Sequence, residues 1–316
     1  MNPDHLLAPG DTLMVVAPHP DDESLAAGGL IQRALANGAR VHIVLVTDGD
    51  NNPWPQRVLE RRLRVDATAR RRWGERRQLE ARHALQELGA ETSAVHRLRW
   101  PDGGVTAKLV DDSTAAIAQW QALLEEIRPT LLVLPDLADA HPDHSALHVL
   151  LELALGALPA ARQPHCLCYL LHGSARIDET RRMSLALTPR EGARKRAAIL
   201  AHRSQIALSR GRLLRFAGEE ERLALGSGDQ SLSGPRLPWQ VPRWMRGFMA
   251  LFAVDAQGGQ RLDCDGAHEG AALLWRDGMP AASLARPLQA PYYVKLYSTV
   301  PSPWVFDRWG WRRFRS

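Results

Sequence analysis

Short apolar runs alternate with stretches of helical periodicity along the first half of this 316-residue chain, and that alternation restricts its fold more than any other feature. "TLMVVA" (12–17) is followed by turn residues and then by "ESLAAGGLIQRALANG" (23–38), apolar at helical spacing and closed by Gly38. The pattern recurs with "VHIVLVTDG" (41–49), then an arginine-rich helical region ending in "ERRQLEARHALQELG" (75–89), then "VHRLRW" (95–100). A helix over "DSTAAIAQWQALLEEIR" (112–128) precedes "PTLLVLP" (129–135), and "HPDHSALHVLLELALGAL" (141–158) precedes "HCLCYLLHG" (165–173). Strands separated by helices of ten or more residues require crossover connections, which predicts a doubly wound, mainly parallel α/β sheet over residues 10 to about 175.

Ligands of such sheets sit beyond the carboxyl ends of strands, where the strand order reverses. Two polar clusters occupy such positions: His19, Asp21 and Asp22 after the first strand, and Asp136, His141, Asp143 and His144 after the strand at 131–135. Three adjacent carboxylates, Asp21, Asp22 and Glu23, need a positive partner. His19 and Asp22 lie three apart across a Pro-initiated turn, an imidazole and carboxylate pair suited to Zn²⁺, and His144 supplies a third ligand. Three protein ligands leave one position for water, the arrangement of catalytic sites. Asp21, beside a ligand but pointing elsewhere, is the candidate base. Either fragment alone is equally a helix cap, with Asp22 or Asp143 holding helix amides; the two together favour the metal.

"VVAPHPDDE" (15–23) with "HPDH" (141–144) resembles the PIG-L/LmbE-type de-N-acetylases, supported by "VTDG" (46–49), "RQLEARHALQELG" (77–89), "PDG" (101–103) and "KRAAILAHRSQ" (195–205). The resemblance covers residues 12 to about 206 and implies a Rossmann-like domain over 1–208. It implies a zinc-dependent hydrolase that removes the acetyl group of an N-acetylglucosamine-like sugar in a glycoconjugate. His19, Asp22 and His144 would bind the metal, Asp21 would act as base, and His141 would stabilise the oxyanion or protonate the leaving amine. Arg77 and Asp102 match positions that hold sugar hydroxyls, while His202 is expected to pack beneath the site and Glu23 to orient its neighbours. Histidine and carboxylate ligation does not select zinc uniquely, so Fe²⁺ or another divalent ion is an alternative. The rival readings are an amidase on a non-sugar N-acyl substrate and a non-catalytic carbohydrate- or nucleotide-binding α/β protein. The last is disfavoured because no G-x-G-x-x-G turn follows the first strand.

Residues 209–316 read as a loop-rich appendage that shapes the substrate pocket or a surface attachment. The tail "VPSPWVFDRWGWRRFRS" mixes Trp304, Trp309, Trp311 and Phe314 with four arginines. It packs back on the protein, contacts an anionic membrane or stacks its aromatic rings on sugars. A second arginine cluster, 57–77, reads as a solvated helix face with Glu60 and Arg64 at i,i+4 spacing, or as a surface for phosphate or anionic sugar. The net charge of +5, from 40 basic against 35 acidic side chains, is too small for a nucleic-acid-binding module. Cys166 and Cys168 read as strand residues and Cys264 stands alone, which suits a reducing compartment. With neither a basic head and apolar run at the N-terminus nor an apolar membrane span, the expected location is cytoplasmic, or peripheral at the inner membrane surface.

Overall fold

The computed structural model describes residues 7–90, 95–226, 231–232, 237–263, 272–276, 279–284, 286–300 and 305–315. Seven strands make the principal sheet: β1 (Thr12–Ala17), β2 (Arg40–Thr47), β3 (Val95–Trp100), β4 (Leu131–Pro135), β5 (His165–Tyr169), β6 (Arg182–Ala186) and β7 (Glu220–Leu225). Their order is β3-β2-β1-β4-β5-β7-β6. The first five are parallel, whereas β7 runs antiparallel to both of its neighbours. The chain leaves β1 towards β3 on one side, then returns to add β4 against the other side of β1. This is the expected doubly wound α/β sheet, and its reversal point lies between the two strands that carry the His-Pro-Asp turns.

Among the described residues eight α-helices accompany the sheet: α1 (Asp22–Ala36), α2 (Pro53–Glu60), α3 (Ala67–Leu88), α4 (Val105–Asp111), α5 (Ser113–Ile127), α6 (Pro142–Gly156), α7 (Pro189–Ala201) and α8 (Arg203–Leu213). Every residue of β1 and β4 is buried, because successive side chains enter opposite layers. Met14 and Val16 pack with Trp120 of α5 and Leu147 of α6; Leu13, Val15 and Ala17 pack with Ile31 of α1 and Leu85 of α3. Cys166 and Cys168 are free thiols on β5, and burial pushes the first up to about 12. Cys264 lies outside the described residues.

The second half departs from the expected loop-rich appendage. The strands are β8 (Ser231–Leu232), β9 (Met249–Asp255), β10 (Gly258–Asp263), β11 (Ala272–Arg276), β12 (Met279–Ser283), β13 (Tyr292–Ser298) and β14 (Arg312–Phe314). They form a sheet of order β10-β9-β13-β14-β8 and a separate β11-β12 hairpin. β9 is buried along its whole length: Leu251 and Ala253 enter this unit's own core, while Phe252 and Val254 join the α5–α6 layer of the first sheet. Burial on both faces removes the alternation that marks a strand. The backbone of Gly259 approaches α4 so closely that a Cβ there would sit 2.5 Å from the Val110 carbonyl oxygen. The expected boundary at residue 208 falls inside α8, and β7 beyond it belongs to the principal sheet.

Helix α1 breaks at Ala27 (φ −133°, ψ 16°), which frees backbone donors inside the protein. Glu221 of β7 accepts hydrogen bonds from the amides of Gly29 and Leu30, and Lys195 Nζ lies 2.7 Å from its Oε1. Both side chains of this pair are buried. Removing one partner of a buried ion pair leaves an uncompensated charge, so Lys195→Met is expected to lower stability by about 3–5 kcal/mol. Urea unfolding measures this; a loss below about 1 kcal/mol would show that the Lys195 charge is dispensable.

Candidate metal centre

β1 ends at Ala17, and the turn that follows is tied to β2 by Thr47, whose amide and hydroxyl both donate to the Pro18 carbonyl. Asp22 then opens α1, and its Oδ2 accepts from the His19 amide at 2.9 Å. Beyond β4, Asp139 Oδ1 accepts from the His141 amide, Pro142 begins α6, and His144 lies in its first turn. The two turns meet: the His19 ring lies 4.6 Å from that of His141 and 5.4 Å from that of His144, centroid to centroid.

Asp22 Oδ2 sits between the two histidines, 3.3 Å from His19 Nδ1 and 3.2 Å from His144 Nε2. The far side of each ring faces a further carboxylate. His19 Nε2 is 3.2 Å from Asp143 and 3.3 Å from Asp102, and His144 Nδ1 is 3.4 Å from Asp139. Burial opposes protonation of His144, but Asp22 and Asp139 outweigh it and raise its pKa to about 9. The same balance, with Asp102, Asp143 and Asp22 as partners, raises that of His19. Burial also disfavours a charged Asp22, yet His144 and His19 hold its carboxyl well below the usual range. His141 goes the other way: burial first, then the neighbouring His19, His144 and His172, keep its ring neutral. Its Nδ1 accepts from the Asp143 amide at 3.3 Å, so its proton resides on Nε2.

This donor set suits a divalent cation. Both nitrogens of His144 are buried with no aligned hydrogen bond, although each faces a carboxylate oxygen at 3.2–3.4 Å, and a cation held beside ring and carboxylate would satisfy both. Asp22, Asp102, Asp139 and Asp143 gather around the histidines, and buried anions in such density favour a bound positive ion. Among the described residues, three overlapping sets bring donor atoms within 4.8 Å of one another: His19–His141–His144, Asp139–His144–His172 and His19–Asp102–Asp143.

Asp21 occupies strained backbone, φ 147°, where side chains other than glycine are rare. Glu23 Oε2 accepts from its amide, and Arg77 Nη2 lies 3.2 Å from its Oδ1. Burial raises the Asp21 pKa, with Arg77 opposing. Arg77 is itself only 3% exposed and donates to the carbonyls of Gly49 and Pro20. Its two Nη atoms thus hold the Asp21 turn, while its buried Nε has no hydrogen-bond partner. Asp102 accepts from the Asn51 amide at 2.6 Å while its other oxygen faces His19. His202 lies under the site, 3.2 Å from Glu23.

Sequence reasoning passed over Asp139 and His172. Asp139 accepts from the amides of His141, Leu171 and His172 and faces both His144 and His172. His172 follows the carboxyl end of β5, so the strand-end rule applied to a third strand identifies it. Phe306 was missed for a different reason: it comes from the far end of the chain, 5.5 Å from the His172 ring and 6.3 Å from that of His141. The Asp307 amide donates to Ala140, and Asp307 pairs with buried Lys295. The tail therefore lines the site. Trp309, Trp311 and Phe314 are buried, Arg313 pairs with Glu152, and Trp304 lies outside the described residues. Attachment to a bilayer through this tail accordingly finds no exposed indole among the described residues.

Residues 14–155 match the family model "PIG-L: GlcNAc-PI de-N-acetylase". A 1D-myo-inositol 2-acetamido-2-deoxy-alpha-D-glucopyranoside deacetylase of Rhodococcus jostii is 33% identical over 170 residues, 49% of this chain and 56% of that protein. The enzyme of the same name from Mycolicibacterium vanbaalenii is 29% identical over 242 residues, covering 62% and 81%. The chain thus spans little more than half the length of the first of these relatives. Among solved structures, a conserved protein of Thermus thermophilus has a TM-score of 0.51 at 27% identity, covering 73% of this chain and 99% of that one. The N,N'-diacetylchitobiose deacetylase of Pyrococcus horikoshii shares the fold, with a TM-score of 0.52 at 18% identity and coverage of 68% and 84%. The likeness to the PIG-L family model thus lies in residues 14–155, just under half of the chain.

Proposed function

We propose that this protein is a metal-dependent hydrolase that removes the acetyl group from an N-acetylated, GlcNAc-like sugar of a glycoconjugate. The observation that carries this reading is the buried His144 ring, both nitrogens with no aligned hydrogen bond, brought against Asp22 and His19 by two His-Pro-Asp turns. His19, Asp22 and His144 would hold the ion, Zn²⁺ or another divalent metal such as Fe²⁺. When bound, such an ion polarises an amide carbonyl and makes water acidic enough to lose a proton near neutrality.

The chain's own groups account for the remaining steps. Asp21, clamped by Arg77 and Glu23, takes a proton from the attacking water as the C–O bond forms at the amide carbon. His141, with its proton on Nε2, donates to the carbonyl oxygen as that oxygen gains negative charge. The C–N bond then breaks, the proton held by Asp21 passes to the departing amine, and the acyl group leaves as acetic acid, which gives up the second water proton to become acetate. Phe306 offers an exposed aromatic wall beside His141 and His172 on which the sugar ring would rest. The names of the sugar deacetylases among the relatives support the substrate class.

Acetate release from a panel of N-acetylhexosaminyl compounds tests the proposal. It is expected for at least one of them, to be abolished by a chelator and to return with added Zn²⁺ or Fe²⁺. Release that persists undiminished after metal removal, or none from any sugar, would overturn it.

A further inference from the structure

We infer that the outward face of α2 and the turn after it form a docking surface for an anionic membrane. The helix is inside out. Its buried residues are Pro55 and Gln56, the latter donating to the Ala69 carbonyl, while Trp54, Val58 and Leu59 point to solvent. Trp54 is 65% exposed, and Leu63 in the following turn is 91% exposed. Leu208, on the α8 helix that packs against α2, is also exposed. Isolated apolar side chains on a surface mean little, but five large ones on and beside one short helix mark an interaction site.

The charges around these residues identify the occupant. Arg57 stacks over the Trp54 ring at 5.0 Å, and Arg61, Arg62 and Arg64 are exposed. The expected Glu60–Arg64 pair does not form, because the helix ends at Glu60 and Arg61 turns left-handed. Glu60 pairs instead with Arg72, and Asp66 is spent capping α3, where it accepts from the Ala69 amide. The patch is therefore apolar at its centre and positive at its rim. A second copy docked about a two-fold axis would set arginine against arginine, which disfavours self-association. An anionic bilayer instead accepts the leucines and valine at its acyl boundary, the indole at headgroup depth and the arginines against its phosphates.

The position of the patch adds a consequence. Asn51, just ahead of α2, donates from its amide to Asp102 of the candidate metal centre, and Asn52 bonds to Gln205. A membrane held here would lie beside the site, suiting a substrate with a lipid anchor. Among the described residues no helix is long and apolar enough to cross a membrane, so contact by this route is peripheral.

Sedimentation of the full chain with vesicles tests the inference independently of any activity. Binding is expected to phosphatidylcholine vesicles containing phosphatidylglycerol, and to be weak with phosphatidylcholine alone or at high salt. Trp54→Ala with Leu63→Ala should reduce partitioning at least about tenfold, and Arg61→Ala or Arg62→Ala about fivefold each. All four positions are exposed, so the thermal midpoint should not move. Wild-type protein left in the supernatant with anionic vesicles, or variants that bind as well as wild type, would overturn the inference. Dimerisation abolished by the same substitutions, without vesicle binding, would overturn it in favour of a second copy.

Discussion

Asp21→Asn is expected to retain the full metal content while turnover on an N-acetylated sugar falls by about 10²–10⁴-fold. Asparagine is the instructive replacement here. It keeps the size and shape of the side chain, so the strained turn at φ 147° meets no new steric demand. Glu23 can still accept from the residue-21 amide, and Arg77 can still bond to Gly49 and Pro20. What disappears is the ability to take up a proton. Elemental analysis and initial rates measured on the same preparation separate the two quantities. Activity within about threefold of wild type would remove Asp21 from the role of base and pass it to another group.

His144→Ala should act on the metal itself. Losing even a hydrogen-bonding partner of a ligand costs roughly 10–100-fold in metal affinity, so losing a ligand should cost at least about 100-fold. Turnover is expected to fall to background and the bound metal to well below one ion per chain. Asp139→Asn, which leaves the His144 ring in place, should fall within that smaller range because Asp139 faces the ring nitrogen opposite Asp22. Full metal occupancy in His144→Ala would refute the set of His19, Asp22 and His144. It would point instead to His19, Asp102 and Asp143, which also bring their donor atoms together.

The parallel sheet was legible because each of its strands is a compact apolar run separated from the next by a helix with clear periodicity and an end signal, as with Gly38 and Gly89. The meeting of His19 with His144 was legible because both follow strand ends at the one place where the winding reverses. Other features depend on contacts that no local pattern encodes. Arg77 looks like one more surface arginine in a run of them until its guanidinium is seen reaching Gly49, Pro20 and Asp21. Phe306 is more than 130 residues from His172 in sequence, and only the docking of Asp307 onto Ala140 and Lys295 places it there. The C-terminal strands were hidden because β9 is apolar on both faces and its neighbours are interrupted by glycine and proline.

Phe252, Val254, Tyr293 and Trp311 all belong to the same buried cluster as Met14, Val16 and Leu132. The C-terminal unit is therefore a keystone and not an attachment: severing the chain after α8 would strip the lid from the α5–α6 layer and remove β7 from its slot between β5 and β6. The half that carries the candidate metal centre would, on its own, expose a raw hydrophobic wound.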